Sequence, residues 1–89
     1  MNTVKLNTTN INEKLLQYED DDIENCLDEI SFYKQTTLDT LSDSVVDYIG
    51  QKEWNTISGM CMSISNCETL IKLLVDLKEI RKTIKKNSN

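Results

Sequence analysis

Proline and histidine are missing from this chain of 89 residues, and glycine occurs only twice, at Gly50 and Gly59. Because proline and glycine punctuate sheets and hairpins, their scarcity favours an all-helical fold. The lack of histidine removes the commonest general base and the commonest zinc ligand. No glycine-rich phosphate loop and no nucleophile elbow is present. We therefore expect a protein that is not an enzyme and that needs no cofactor and no metal.

Long apolar runs are missing as well, since no stretch approaches the ~20 residues that a membrane span needs. Residues 1–10 lack the apolar core of a signal peptide. Only 38% of the residues are hydrophobic, so one domain of this length has a small core and gains from burial against a partner or a second copy. We expect a single domain in the cytoplasm that makes no contact with membranes.

The two halves of the chain carry opposite charge. Residues 1–49 contain eleven acidic and three basic residues, residues 50–89 contain four acidic and seven basic residues, and the net charge is −5. Nonspecific binding to DNA or RNA depends on lysine and arginine, so direct contact with nucleic acid is not expected. Contact through the basic residues 78–86 is the weakest alternative.

Apolar residues at spacings of three and four predict four helical segments, over residues 10–18, 21–49, 51–64 and 67–86. The apolar direction of the second segment persists through Gln35, Thr36 and Thr37, which predicts one long helix. The alternative is a new helix that begins at a capping box on Thr36. Gly50 is expected to end the long helix in a left-handed conformation. Gly59 is expected to admit a close approach by that helix.

The apolar direction changes between residues 51–64 and 67–86 by roughly 100° or more, which exceeds the slow drift of a heptad pattern. Ser65 and Glu68 have the spacing of a capping box at this point. The chain is therefore expected to kink or to reverse near Ser65. We favour the kink, because it brings the basic residues 78–86 beside the acidic start of the long helix.

These segments predict an all-α fold. It is an antiparallel helical hairpin with a kinked second arm, in a small three- to four-helix bundle able to dimerise. Residues 1–9 are expected to form a flexible arm, residues 10–86 a single helical domain, and residues 87–89 a polar tail.

The cysteines and a run of acidic residues raise two chemical hypotheses, a disulfide or redox site and a calcium site. Cys26, Cys61 and Cys67 form an odd set with no C-x-x-C pair, and we predict buried, reduced thiols rather than a disulfide or redox site. Residues 19–22 are four consecutive acids, which suit the start of a helix. A calcium loop would instead alternate its ligands around a glycine.

One surface of the long helix is the best candidate for partner binding. An aromatic side chain among carboxylates suits a basic, partly apolar partner, because aromatic residues supply much of the binding energy of interfaces. The alternative interpretation of Phe32 is a singly exposed or self-associating side chain. The alternative interpretation of Trp54, which follows the Gly50 turn, is that it covers the end of the bundle together with Tyr48. The candidate residues are Asp21, Glu24, Asp28, Phe32, Asp39, Asp43 and Trp54.

Protein binding is the expected function. The chain is interpreted as a small acidic adaptor, chaperone or regulator that works as a homodimer or in a hetero-complex. The alternative is an acidic mimic of nucleic acid that inhibits a basic DNA- or RNA-binding protein.

Overall fold

Three helices account for nearly all of residues 8–87, the part of the chain that the structure, a computed structural model, describes. Helix α1 spans Thr8–Gln17, α2 spans Asp22–Gly50 and α3 spans Trp54–Asn87. No strand occurs within this range, so the predicted all-α class is confirmed. The predicted arm and tail lie mostly outside the described residues, although Thr8 and Thr9 belong to α1 and Asn87 belongs to α3.

Helix α2 is one uninterrupted helix of 29 residues, as the constant apolar direction predicts. A second helix start at Thr36 is ruled out, because α2 continues through residues 35–37 without interruption, and the Thr36 carbonyl accepts a hydrogen bond from Thr40 Oγ1 at 3.0 Å. The acidic residues 19–22 stand at the start of α2, where negative charge is favoured by the helix dipole. Asp22 Oδ2 accepts a hydrogen bond from the Glu19 N–H at 2.8 Å, which fixes the chain as it enters the helix.

The end of α2 corrects the prediction for Gly50, which does not have a positive φ. Lys52 takes the left-handed conformation instead, with φ of 58°. The Glu53 N–H donates to the Tyr48 carbonyl at 2.8 Å and the Lys52 N–H donates to the Ile49 carbonyl at 3.1 Å. These two hydrogen bonds form a Schellman motif, whose left-handed position lies two residues later than predicted.

Helix α3 also corrects a prediction, because it runs without interruption through Ser65. Ser65 therefore lies inside α3 and not at a helix start, and its carbonyl accepts a hydrogen bond from Thr69 Oγ1 at 3.2 Å. The change in apolar direction is not a chain break. It arises because Leu70, Leu77 and Ile84, at sevenfold steps, turn toward the core that α3 shares with Leu15 of α1.

The less exposed side chains of α2 and α3 follow a period of seven, with steps of three and four, as in a coiled coil. A seam of this period drifts by only ~20° per heptad around a straight helix, so one helix can carry it for its whole length. Polar residues interrupt the seam on both helices. The seam residues are Ile23, Leu27, Ile30, Lys34, Thr37, Leu41, Ser44 and Tyr48 of α2, and Ile57, Met60, Ile64, Cys67, Ile71, Leu74, Lys78 and Arg81 of α3.

The start of α2 lies against the end of α3, as the charge distribution predicts. Lys78 Nζ forms an ion pair with Glu24 Oε1. Asp20 Oδ1 lies 3.1 Å from Arg81 Nη2 and 2.6 Å from Lys85 Nζ. The expected meeting of the basic and acidic ends is therefore confirmed.

The core lies at this same end of the molecule, where α1 joins the pair. Leu15, Ile23 and Leu74 form its buried centre, and Leu27, Ile30, Leu70, Leu77 and Ile84 pack against it. Cys67 is buried, whereas Cys26 and Cys61 are exposed, so the prediction of buried thiols is wrong for two of the three cysteines. No side chain of residues 31–66 is buried. A Cβ added to Gly59 would meet nothing within 4 Å, so the predicted close approach of α2 at this glycine is wrong.

Candidate functional site

Arg81 is the one charged side chain that is buried in residues 13–87, with 9% of its surface exposed. Its Nε donates to the Leu15 carbonyl at 2.9 Å, and its Nη2 donates to the Tyr18 carbonyl at 2.6 Å. Carbonyls at the end of a helix have no partner within that helix, so Arg81 caps α1 and ties it to α3. The sequence did carry a signal for this role, because Arg81 continues the sevenfold spacing of Cys67 and Leu74.

Ion pairs at the same junction shift the pKa of two groups, the exposed Asp20 and the half-buried Lys78. Hydrogen bonds from Lys85 and then Arg81 hold the pKa of Asp20 below its ordinary value. The hydrogen bond to Glu24 raises the pKa of Lys78. Three of the basic residues at the end of α3 are therefore already engaged with acids of the same chain, which weakens the case for direct nucleic-acid contact through them.

Most of the predicted acidic site lies on the surface of α2. Asp21, Asp28, Asp39 and Asp43 are exposed, and the helical period places them along one stripe. We call these four residues the acidic stripe. Glu24 differs from them, because it is half-buried and paired with Lys78.

Phe32 lies within the acidic stripe and has 71% of its surface exposed. Asp28 precedes it by four residues and Asp39 follows it by seven, so both carboxylates share its side of the helix. Val46 is a second exposed apolar residue on α2. The arrangement offers a largely exposed aromatic ring framed by negative charge.

Trp54 does not belong to this stripe. It is the first residue of α3, on the other helix, and 56% of its surface is exposed. Tyr48 is the last α2 residue of the coiled-coil seam and is only half-buried. The structure therefore separates the predicted site into an α2 surface and a tryptophan close to the connection between α2 and α3.

Two grooves mark the two sides of the α2–α3 pair. A groove of about 330 Å³ is lined by Glu24 of α2 and Lys82 of α3, together with the other charged residues of the junction. A groove of about 290 Å³ is lined by Cys26 of α2, Leu77 of α3 and Tyr18 beside α1. We call the first the charged groove and the second the thiol groove, after these residues.

A short surface without charged residues lies beside the connection at residues 51–53. Sevenfold steps after Glu24 on α2 and before Lys82 on α3, with the neighbours four residues further along, keep the direction of the charged groove. These positions first pass Asp28 on α2 and Glu68 and Lys72 on α3, so the surface without charge begins only beyond them. The members of this uncharged face are Ser31, Gln35, Leu38, Ser42, Val45 and Ile49 of α2, and Trp54, Ser58, Cys61 and Ser65 of α3.

Sequence reasoning missed the uncharged face apart from Trp54. Leu38 and Ile49 have 39% and 52% of their surface exposed, although they are large and apolar. Val45 lies on the same side of α2 as Leu27, five helical turns away, and it is only half-buried. The available signal was the absence of charge at successive steps of three and four on a helix that is otherwise rich in aspartate.

Within residues 8–87, no three Cys, Asp or Glu side chains are grouped as ligands for a metal ion would be. None of the three helices is long and apolar enough to cross a membrane. No family model, no curated protein and no solved structure matches the chain. Its function has to be inferred from the surfaces described above.

Proposed function

We propose that this chain is a small helical protein-binding module, an antiparallel hairpin of α2 and α3 that acts as an adaptor, chaperone or regulator of a partner protein. The observation that carries the proposal is the lack of any buried side chain in residues 31–66. Large apolar side chains of that stretch remain in contact with water, and such surfaces mark interaction sites in stable proteins. A partner protein or a second copy would supply the missing burial.

The acidic stripe with Phe32 is the surface that we assign to the partner. A partner with a pocket for the ring, rimmed by lysine or arginine, would bury the aromatic side chain and meet carboxylates around it. The exposed thiols of Cys26 and Cys61 suit a reducing compartment, and we place this interaction in the cytoplasm.

Affinity capture with two matched variants tests the assignment. Phe32→Ala removes the exposed ring, and Tyr33→Ala removes the neighbouring aromatic ring, which is also exposed but lies off the stripe. A protein bound through Phe32 should lose about 30-fold in affinity with Phe32→Ala, because an aromatic anchor contributes ~2 kcal/mol or more. Tyr33→Ala should bind as the wild type does. The proposal fails if Phe32→Ala retains the same proteins with the same affinity.

The alternative function, inhibition by mimicry of nucleic acid, is supported by the exposure of the four aspartates of the acidic stripe. Their charge is available to a target, because the ion pairs at the junction use Asp20 and Glu24 instead. Mimicry predicts that binding weakens steeply with salt and weakens further with Asp39→Asn and Asp43→Asn, while Phe32→Ala has little effect. Binding that is insensitive to salt would exclude it.

A further inference from the structure

The thiol groove has an apolar floor. Ile23 and Leu74 line it with 5% and 7% of their surface exposed, and Leu77 beside them is half-buried. Tyr18 and Cys26 line it as well, and both are exposed. Its volume of about 290 Å³ is at the lower end of the range for ligand pockets, so it suits a few side chains of a ligand.

The border of the thiol groove is acidic. Asp22 is the one charged residue among those that line it. Glu29 follows Cys26 by three residues on α2, so its exposed carboxylate lies beside the groove. Lys14, the basic residue of α1, is exposed and does not line the groove. A ligand in the groove therefore meets negative charge around an apolar floor.

The basic residues of α3 lie on other sides of that helix. Lys72 and Lys86 are about 140° and 180° away from Leu77 around the helix axis. Leu73 and Ile80 instead share the side of Leu77, with 50% and 42% of their surface exposed, and they extend the apolar edge of the groove. The remaining four basic residues line the charged groove and are Lys78, Arg81, Lys82 and Lys85.

We infer that the thiol groove binds an amphipathic helix of a partner protein, with aliphatic residues at spacings of three and four and with lysine or arginine beside them. The aliphatic residues suit the floor, and the basic residues suit the acidic border. Helix α1 already packs in this manner, because its Leu15 lies against Ile23 and Leu74, which also line the groove. The partner helix would lie beside the end of α1.

Charge distinguishes this ligand from two others. An anionic membrane surface would meet Asp22 and Glu29 with charge of the same sign. A second copy of the chain has a net charge of −5, so its approach to an acidic border is disfavoured. The groove is also separate from the proposed partner site, because Phe32 is about 120° away from Cys26 around α2.

Two synthetic helical peptides of about four turns test the inference. Both carry leucine at spacings of three and four, and the lysine peptide has lysines beside the leucines where the glutamate peptide has glutamates. The lysine peptide should bind at least about tenfold more tightly than the glutamate peptide. It should also protect Cys26 from a thiol reagent, while Cys61, which is exposed on α3 and does not line the groove, stays reactive.

Leu73→Lys and Val75→Lys are matched variants for this measurement. Leu73 and Val75 have 50% and 45% of their surface exposed, and they point about 160° apart on α3. Both changes add the same charge, so a general effect on the fold would appear in both. Leu73→Lys should weaken binding of the lysine peptide about tenfold, and Val75→Lys should leave it unchanged. Glu29→Lys should reduce the preference for the lysine peptide.

Equal affinity for the two peptides, no protection of Cys26, or equal effects of Leu73→Lys and Val75→Lys would overturn the inference. Anionic phospholipid vesicles that protect Cys26 would overturn it in favour of a membrane. Slow reaction of Cys26 in the protein alone would also overturn it, since the groove would then be filled without the peptide. Phe32→Ala should leave the affinity for the lysine peptide unchanged, so failure here is distinguishable from failure of the proposed partner site.

Discussion

Replacement of Arg81 by methionine is expected to release α1 from the rest of the protein. Methionine keeps much of the apolar stem of the arginine and removes the guanidinium group. The variant loses the hydrogen bonds to the Leu15 and Tyr18 carbonyls. A hydrogen bond that involves a charged group contributes about 1.5 kcal/mol or more, so the two together contribute about 3 kcal/mol.

Among the α1 side chains that the structure describes, Leu15 is the one that is buried. Burial of the Leu15 side chain contributes about 1.5 to 3 kcal/mol, and an isolated helix of ten residues is not stable in water. A loss of about 3 kcal/mol raises the population of the undocked state about 100-fold. Amide hydrogen exchange at Leu15, Leu16 and Gln17 should therefore become about 100-fold faster.

Lys82→Met is the matched control for this prediction. Lys82 is the next residue of α3, its side chain is largely exposed, and its ion pair with Glu79 lies within the same helix. Exchange in α1 should be unchanged in this variant. Equal protection of the α1 amides in Arg81→Met and wild type would refute the role of Arg81 as the residue that holds α1.

Three further predictions concern stability and pH. Lys52→Gly should raise the free energy of unfolding by about 1 kcal/mol in urea titrations, because Lys52 holds a left-handed conformation that glycine adopts without strain. Gly59→Ala should raise it by a similar ~1 kcal/mol, because alanine favours the helix and its methyl group has open space, and an unchanged midpoint would contradict the helical account of this site. The pKa of the Asp20 carboxylate is lowered in the folded protein, chiefly by the hydrogen bond from Lys85. Asp20 therefore stabilises the fold at pH values above its ordinary pKa, and this stabilisation is lost as the pH falls through the lowered pKa of the folded state. NMR titration of Lys85→Ala should return the Asp20 pKa toward its ordinary value, and no movement would contradict the assignment.

Periodicity and charge predicted much of the fold. The constant apolar direction through Thr36 and Thr37 identified α2 as one helix, since a break would have reset the direction. The opposite charges of the two halves identified which ends meet, and Lys78 and Glu24 are paired as that argument requires.

The errors have two physical causes. An apolar direction averaged over a helix does not separate the side chains that face α2 from Leu70, Leu77 and Ile84, which pack against the core that includes Leu15 of α1, so it misplaced a break at Ser65. The polar seam residues Lys78 and Arg81 do not register as apolar, so the sevenfold period that joins the whole of α3 was hidden. Turn chemistry was misjudged because the glycine nearest to the turn was assumed to take the left-handed position.

The candidate site was predicted in part. The exposed aspartates and Phe32 follow from helical geometry alone, because charge on the side opposite the seam lies in water. Arg81 and the uncharged face could not be found in this way. Each depends on which side of α3 meets α1 and α2, and that becomes known only when the helices are placed in three dimensions.

The thermal unfolding midpoint as a function of the concentration of the lysine peptide tests the central claim most directly, that the α2–α3 pair completes its burial against another molecule. We predict that the midpoint rises steadily from low micromolar to near-millimolar peptide, because a ligand that binds the folded state stabilises it by mass action. A midpoint that is independent of peptide concentration over that range would contradict the claim.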